Sequence, residues 1–103
     1  MKNCLVIVDL QNGFINENTA HLPHKIAEFI SSHECLDKMY FCGVNTDCCV
    51  LATVFSCYDS VQDCAVISDL CASTLGEEKH RNAIDLLKDN ITAERVIGSC
   101  NIP

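Results

Sequence analysis

The chain is predicted to be a single α/β domain with a short, mostly parallel sheet of about four strands. Its 103 residues suit one domain, and 49% of them are hydrophobic while 20% are charged, as in a packed globule. Short, continuously apolar runs alternate with longer segments in which apolar residues recur at helical spacing. The resulting order β-α-β-α-β-α-β predicts parallel strands joined by right-handed crossovers.

The first half of the chain supplies two strands and one helix. Leu5–Val8 is an aliphatic run that ends at Asp9, and Met39–Cys42 is a second buried run that Gly43 is expected to end. Pro23 suits the first turn of the helix between them. The apolar positions at helical spacing in that helix are Ile26, Phe29 and Ile30.

A central helix is expected after Gly43, ending near Ser60. Thr46 or Asp47 is the predicted N-cap, because short polar side chains accept the unpaired N–H groups of a first turn. The predicted buried face of this helix consists of Val50, Leu51, Val54 and Phe55.

The last part of the chain supplies a third strand, Cys64–Ser68, and a fourth, Arg95–Gly98. A loop is expected from Asp69, with Ser73 or Thr74 starting the next helix. Glu77 and Glu78 fall in the first turn of that helix, where the helix dipole favours acidic groups. Its predicted buried side consists of Ala83, Ile84, Leu86 and Leu87.

Cys48 and Cys49 stand where the chain leaves a strand and enters a helix, which makes a nucleophile the sharpest interpretation. Backbone N–H groups and the helix dipole there favour a thiolate and could hold an oxyanion. If the two strands are neighbours, Asp9 and Cys49 face one another in the crevice beyond the sheet. The ordinary alternatives are that the cysteines pack as small hydrophobes and that Asp9 stabilises a turn.

The composition of the chain limits the classes of partner and cofactor that it is expected to bind. Fourteen acidic and seven basic residues give a net charge of −7 with no basic cluster, which argues against nucleic acid and anionic membranes. No apolar run reaches the roughly 20 residues that span a bilayer, and no signal-peptide pattern opens the chain. The nine cysteines show neither CxxC nor zinc-ligand spacing, so a reduced, cytoplasmic protein without metal or cofactor is expected. Thiol redox chemistry or metal handling by the cysteines is the weakest alternative.

Two motifs together resemble the isochorismatase-like cysteine hydrolases. Leu5-Val-Ile-Val-Asp-Leu-Gln-Asn-Gly-Phe14 is similar to that family's first strand, with its Asp-x-Gln-x-x-Phe signature. Gly43-Val-Asn-Thr-Asp-Cys-Cys-Val50 is similar to its nucleophile turn, Gly-Val-x-Thr-Asp-x-Cys-Val. Val66–Thr74 also follows the family pattern, so the resemblance covers nearly the whole chain. It implies a Rossmann-like, three-layer α/β/α fold and hydrolysis through an Asp-Lys-Cys triad.

The resemblance also implies roles for individual residues. Asp9 matches the general base and Cys49 the nucleophile, while Cys48 occupies the variable position. The backbone N–H groups of Cys49 and Cys48 would form the oxyanion hole, and the Val44–Asn45 peptide would be cis. The predicted substrate-binding residues are Phe14, Asn45, Thr46 and Cys48.

The chain departs from the family between its first helix and its central strand. Relatives carry further strands and the catalytic lysine there, whereas here the helix ending near Ser32 leads almost directly to Lys38. No lysine matches the motif; Lys25 lies on the first helix and Lys38 at the amino end of the sheet. Residues 1–103 are thus interpreted as one isochorismatase-like domain with an internal segment missing. Leu5–Val8 becomes an apolar sheet edge, which predicts a homo-oligomer.

Two functions follow from these patterns. The first is hydrolysis of a small amide-type or related substrate, with attack by Cys49 and proton transfer by Asp9. The alternative is a non-catalytic, shortened derivative that acts as a subunit or interaction module, which the absence of the family lysine favours.

Overall fold

The computed structural model describes residues 4–8, 15–32, 39–60 and 63–102. These residues form four strands and three α-helices that alternate along the chain. The strands are β1 (Cys4–Val8), β2 (Met39–Val44), β3 (Cys64–Ala72) and β4 (Val96–Ile97). The helices are α1 (Leu22–Ser32), α2 (Leu51–Asp59) and α3 (Glu77–Ile91).

The four strands form one sheet in the order β1-β2-β3-β4, and each neighbouring pair is parallel. All three helices contact β3, and the core lies between them and the sheet. This arrangement confirms the predicted α/β fold class and its parallel sheet. Within the described part of the chain β1 is an edge strand, and its Ile7 is 41% exposed.

β2 is longer than predicted, because Gly43 does not end it. The strand continues to Val44, and Gly43 pairs with Val8 on one side and Cys71 on the other. Gly43 has a φ of 120°, which a residue with a side chain rarely adopts. The glycine therefore bends the strand without interrupting its pairing, and the chain leaves the sheet only after Val44.

β3 also extends beyond its predicted end at Ser68, and the expected loop from Asp69 is wrong. Phe41 of β2 lies opposite Val66, but Gly43 lies opposite Cys71, so β3 accommodates extra residues in a bulge. Asp69 lies within this irregular stretch rather than in a loop. The polar pair Ser68 and Asp69 resembles a strand end in sequence, whereas the pairing resumes beyond it.

α3 begins at Glu77, so the predicted start at Ser73 or Thr74 is wrong, but Glu77 and Glu78 lie in its first turn as predicted. One predicted core position is wrong, because Leu86 is 49% exposed. Ile84, Leu87 and Ile91 repeat at intervals of three and four residues, which defines one helix face. Leu86 lies on the flank of that face. The buried residues of the helix are Ala83, Ile84, Leu87 and Ile91.

Candidate active site

The turn that carries the two adjacent cysteines starts where β2 ends. Thr46–Val50 forms a single π-helical turn that leads directly into α2. The backbone N–H groups of Cys48 and Val50 both donate to the Asn45 carbonyl, each at 3.1 Å. The peptide between Val44 and Asn45 is cis, which confirms the prediction for this position. The cysteines thus lie in the first helical turn beyond the carboxyl end of the strand.

The predicted helix cap is wrong. The residue before the turn is Asn45, and no side chain caps the first N–H groups. Neither Thr46 nor Asp47 serves as the cap, because both lie inside the π-helical turn. The Thr46 hydroxyl is used elsewhere, in a contact with α3.

The two cysteines differ in their surroundings. Cys48 is exposed, whereas Cys49 is half-buried and packs partly against the core. The Thr53 hydroxyl donates to the Cys49 carbonyl at 2.7 Å. The Cys48 amide, expected to serve the oxyanion hole, already donates to Asn45 and would have to leave it to bind an oxyanion.

Asn45 fixes this turn to the connection between β3 and α3. Its side-chain oxygen accepts a hydrogen bond from the Thr74 amide, and its side-chain nitrogen donates to the Thr74 hydroxyl, both at 2.9 Å. The Thr74 carbonyl in turn accepts hydrogen bonds from the side chains of Asn16 and Asn18, at 3.1 and 3.0 Å. Three separate parts of the chain therefore meet at Thr74 and position the cysteine turn.

A second link joins the turn to α3 through a fully buried hydroxyl. Thr46 is 0% exposed, and its Oγ1 lies 2.7 Å from Nδ1 of His80. Burial lowers the pKa of His80, although the charges of Glu77 and Asp47 act in the opposite direction. The imidazole is therefore neutral at neutral pH. Sequence reasoning did not single out His80, because a histidine on a helix carries no local signal of its distant partner.

This contact leads to an expected pH dependence of stability. Because the folded-state pKa of His80 lies below its ordinary value, the unfolded chain takes up a proton first as the pH falls below about 6.5. The His80 contribution to stability is present above that pH and is lost as the pH falls through the folded-state pKa. Urea unfolding of wild type and His80→Gln between about pH 5 and pH 7.5 should show a smaller loss of stability in the variant.

The matched control is His24→Gln, which removes an exposed imidazole from α1. This variant should keep the pH dependence of the wild type. A His80→Gln variant with the same slope as wild type would contradict the assignment.

A carboxylate in β3 is held by groups from two other elements. The backbone N–H and hydroxyl of Ser99 donate to the Asp69 carboxylate at 2.7 and 2.5 Å. Lys25 of α1 donates to the Asp69 carbonyl at 3.0 Å, and its Nζ lies 3.7 Å from the carboxylate. Burial alone would raise the pKa of Asp69, but the Ser99 hydrogen bonds and the Lys25 charge lower it overall. The contacts of Lys25 are thus with Asp69.

Two of the predicted site residues, Asp9 and Phe14, lie outside the described residues, as does Lys38. The meeting of Asp9 with Cys49 therefore stays a prediction. The structure does place Asn45, Thr46, Cys48 and Cys49 together in one turn at the carboxyl end of β2.

Within the described ranges, no group of three or more His, Cys, Asp or Glu side chains is arranged to hold a metal ion. None of the helices in those ranges combines the length and apolar character that crossing a membrane would require.

The parallel sheet, with the cysteine turn at the carboxyl end of one strand, defines an open α/β domain. Domains of this class bind their ligands beyond the carboxyl ends of the strands. The sequence model of one protein family, described as the isochorismatase domain, matches residues 27–96, which is more than half of the chain. The chain belongs to the isochorismatase family.

A solved structure shows the same fold. An isochorismatase-like hydrolase from Alkaliphilus metalliredigens matches with a TM-score of 0.70 and 17% sequence identity, covering 95% of this chain and 94% of that one. At this identity the likeness establishes the fold alone. A search of curated proteins found no match.

Proposed function

We propose that this chain is a cysteine hydrolase that cleaves an amide-type C–N bond, or a related carbonyl bond, in a small molecule. Cys49 is the nucleophile and Asp9 the base. The observation that carries the proposal is the placement of Cys49 in a turn that starts at the end of β2 and is fixed to Thr74 through Asn45. Membership of a hydrolase family supports the same reaction class.

The sheet supports the pairing of Asp9 with Cys49. β1 and β2 are parallel neighbours, and Val8 lies opposite Gly43. Asp9 follows Val8 directly in the sequence, and the carboxyl ends of parallel strands meet at one edge of a sheet, so we propose that Asp9 faces the cysteine turn.

The proposed reaction has two stages. Asp9 takes the thiol proton of Cys49, and the sulfur attacks the carbonyl carbon to form a tetrahedral oxyanion. The C–N bond breaks, the amine leaves with the proton from Asp9, and a thioester remains on Cys49. Asp9 then takes a proton from water, and the hydroxide attacks the thioester. The C–S bond breaks, the acid product is released, and Asp9 returns the proton to the Cys49 sulfur. The amide of Cys49 in the first helical turn is the proposed oxyanion donor.

Substrate contacts divide between direct and indirect ones. Asn45 and Thr46 use their polar groups on Thr74 and His80, so we propose that they act on the substrate by setting the position of the turn. The proposed direct contacts are the exposed Cys48 and Phe14, which resembles a pocket-wall aromatic of the family.

The alternative function, a non-catalytic subunit, is favoured by two contacts. Lys25 binds Asp69, and the Cys48 amide binds the Asn45 carbonyl. Without a cation close to the pair, the negative charge of Asp9 would raise the pKa of the Cys49 thiol. The reactivity of Cys49 distinguishes the two functions.

Limited iodoacetamide labelling, mapped by mass spectrometry, is the test. We expect Cys49 to react at least about tenfold faster than the exposed thiol of Cys100 near neutral pH, because only a thiolate attacks the reagent. Burial raises the pKa of Cys42 to about 12, so Cys42 should stay unmodified. Asp9→Asn should slow Cys49 severalfold if Asp9 takes its proton.

Asp59→Asn, at the exposed end of α2, is the matched control and should leave the rate unchanged. Faster labelling of Cys49 in Asp9→Asn would indicate mere repulsion between two anions and contradict the base role. Uniformly slow labelling of all thiols would favour the non-catalytic subunit.

The proposal includes self-association and a cytoplasmic location. The β1 edge carries Ile7, which is 41% exposed, and an apolar edge strand is a template for pairing with a second chain. Light scattering on the labelled samples reports the oligomeric state. A cytoplasmic location suits a thiol nucleophile, because that compartment keeps thiols reduced. We also propose that the chain is a single domain from which an internal segment of the family is missing.

A further inference from the structure

Three sulfur atoms converge between α2 and the amino ends of two strands, away from the cysteine turn. The Cys57 thiol of α2 donates to the Met39 thioether of β2, with 3.5 Å between the two sulfurs. The Cys57 thiol also lies close enough to Cys64 to raise the pKa of the Cys64 thiol. One cysteine therefore lies between a thioether and a second thiol.

The sheet itself holds two of these side chains together. Met39 and Cys64 are direct partners in the parallel pairing of β2 with β3. Side chains alternate between the two faces of a sheet, so partners in register project from the same face. The sulfur cluster, defined as Met39, Cys57 and Cys64, is thus built on two strands and one helix rather than on a loop.

The spacing suits a shared metal ion. Thiolate sulfurs bind ions such as Zn²⁺ at about 2.3 Å, which places the sulfurs of one site roughly 3.7–4 Å apart. The 3.5 Å between Cys57 and Met39 requires only a small expansion to reach this separation. Thiolate and thioether ligands together are soft, and soft ligands select Cu(I) over the harder divalent ions.

One cationic side chain, that of Arg95, lies next to the sulfur cluster. Two thiolates and a neutral thioether around a monovalent cation carry one net negative charge. Arg95 donates to the Cys64 carbonyl at 2.9 Å and lies against the Tyr58 ring, 5.6 Å from its centroid. Burial raises the pKa of Cys64, as does Cys57, while the charge of Arg95 lowers it. Arg95 also pairs with the Asp63 carboxylate at 2.8 Å, and Asp63 raises the pKa of Cys64, so the guanidinium offsets only part of the cost of a Cys64 thiolate.

A groove gives access to the sulfur cluster. A groove of about 700 Å³ lies between β2 and α2. Met39 and Cys57 line it, whereas Cys64 is fully buried behind them. Residues lining the remainder of the groove are Phe41, Ala52, Thr53, Ser56 and Ser60.

We propose that the sulfur cluster of Met39, Cys57 and Cys64 is a binding site for one soft monovalent metal ion of the Cu(I) type. Binding replaces the two thiol protons with the ion, and both protons pass to the solvent. No electron is transferred, since the metal enters and remains as Cu(I). This site is separate from the cysteine turn, and it stands whether or not the proposed hydrolase activity is found.

The test is an anaerobic titration of the reduced protein with Cu(I) against a chromophoric Cu(I) chelator. Wild type should hold one ion per chain in competition with the chelator. Cys57→Ala and Cys64→Ala should each lower the affinity at least about 100-fold, and Met39→Leu about tenfold, since they remove strong and weak ligands respectively. X-ray absorption should count three sulfur neighbours in wild type and two in Met39→Leu.

Cys100→Ala, which removes an exposed thiol elsewhere, is the matched control and should bind as wild type does. Met39→Leu nearly conserves side-chain volume, and Cys57 is half-buried, so these two variants decide the result even if Cys64→Ala fails to fold. The proposal is overturned if wild type retains no Cu(I) against the chelator. It is equally overturned if Cys57→Ala binds Cu(I) as tightly as Cys100→Ala.

Discussion

Replacing Cys49 with alanine is expected to lower the hydrolysis of a small amide by about 10⁴-fold or more, because removing the proposed nucleophile leaves only the residual contribution of binding and the oxyanion donors. The measurement is release of ammonia or amine from a panel of small amides, first with wild type to find a substrate. The same substrate is then tested with Cys49→Ala.

Cys48→Ala provides a control of the same chemistry one residue away. The two variants each remove one thiol from the same turn. They differ in that Cys48 is exposed whereas Cys49 is half-buried. Cys48→Ala should keep turnover within about tenfold of wild type, in keeping with a residue that only contacts the substrate. Loss of turnover in Cys48→Ala with retention in Cys49→Ala would assign the nucleophile to Cys48 instead.

Replacing Leu87 of α3 with alanine should produce a large loss of stability. Leu87 is 0% exposed, so its removal leaves a cavity in the core. Such changes cost about 2–5 kcal/mol, a large part of the roughly 5–15 kcal/mol that stabilises a domain of this kind. Urea unfolding followed by circular dichroism gives the difference in the free energy of unfolding.

The adjacent residue provides the comparison. Leu86 is 49% exposed, so Leu86→Ala should change the free energy of unfolding by no more than about 1 kcal/mol. Equal losses in the two variants would show that burial does not distinguish these neighbours, contrary to the structure.

The sequence was most informative about the order of elements. Continuous apolar runs identified all four strands, and helical spacing identified the helices between them, since these patterns depend on residues close together in the chain. The ends of β2 and β3 were missed because Gly43 and Asp69 resemble strand breakers locally. Each of these strands nevertheless continues beyond that residue, and the pairing that extends it comes from a neighbouring strand.

The candidate site shows the same difference between local features, which the sequence predicts, and contacts between distant residues, which it does not. The spacing of the motif located the cysteine turn and its cis peptide at Val44–Asn45, since both are local properties. The residues that hold the turn were missed: Thr74 lies 29 residues from Asn45, and His80 lies 34 residues from Thr46. A single sequence offers no means of pairing side chains across such separations, because any of several polar residues could serve.

The two links that hold the cysteine turn respond differently to the solution around them. At Thr74, the partners are asparagine amides, a hydroxyl and backbone groups, all of which lack a charge at any physiological pH. Acid and salt therefore leave this link almost unchanged. The link through His80 includes a titratable ring and weakens in acid. Mild acidification would thus release one side of the turn while the other keeps its place, loosening Cys49, the proposed nucleophile, without detaching it from the sheet.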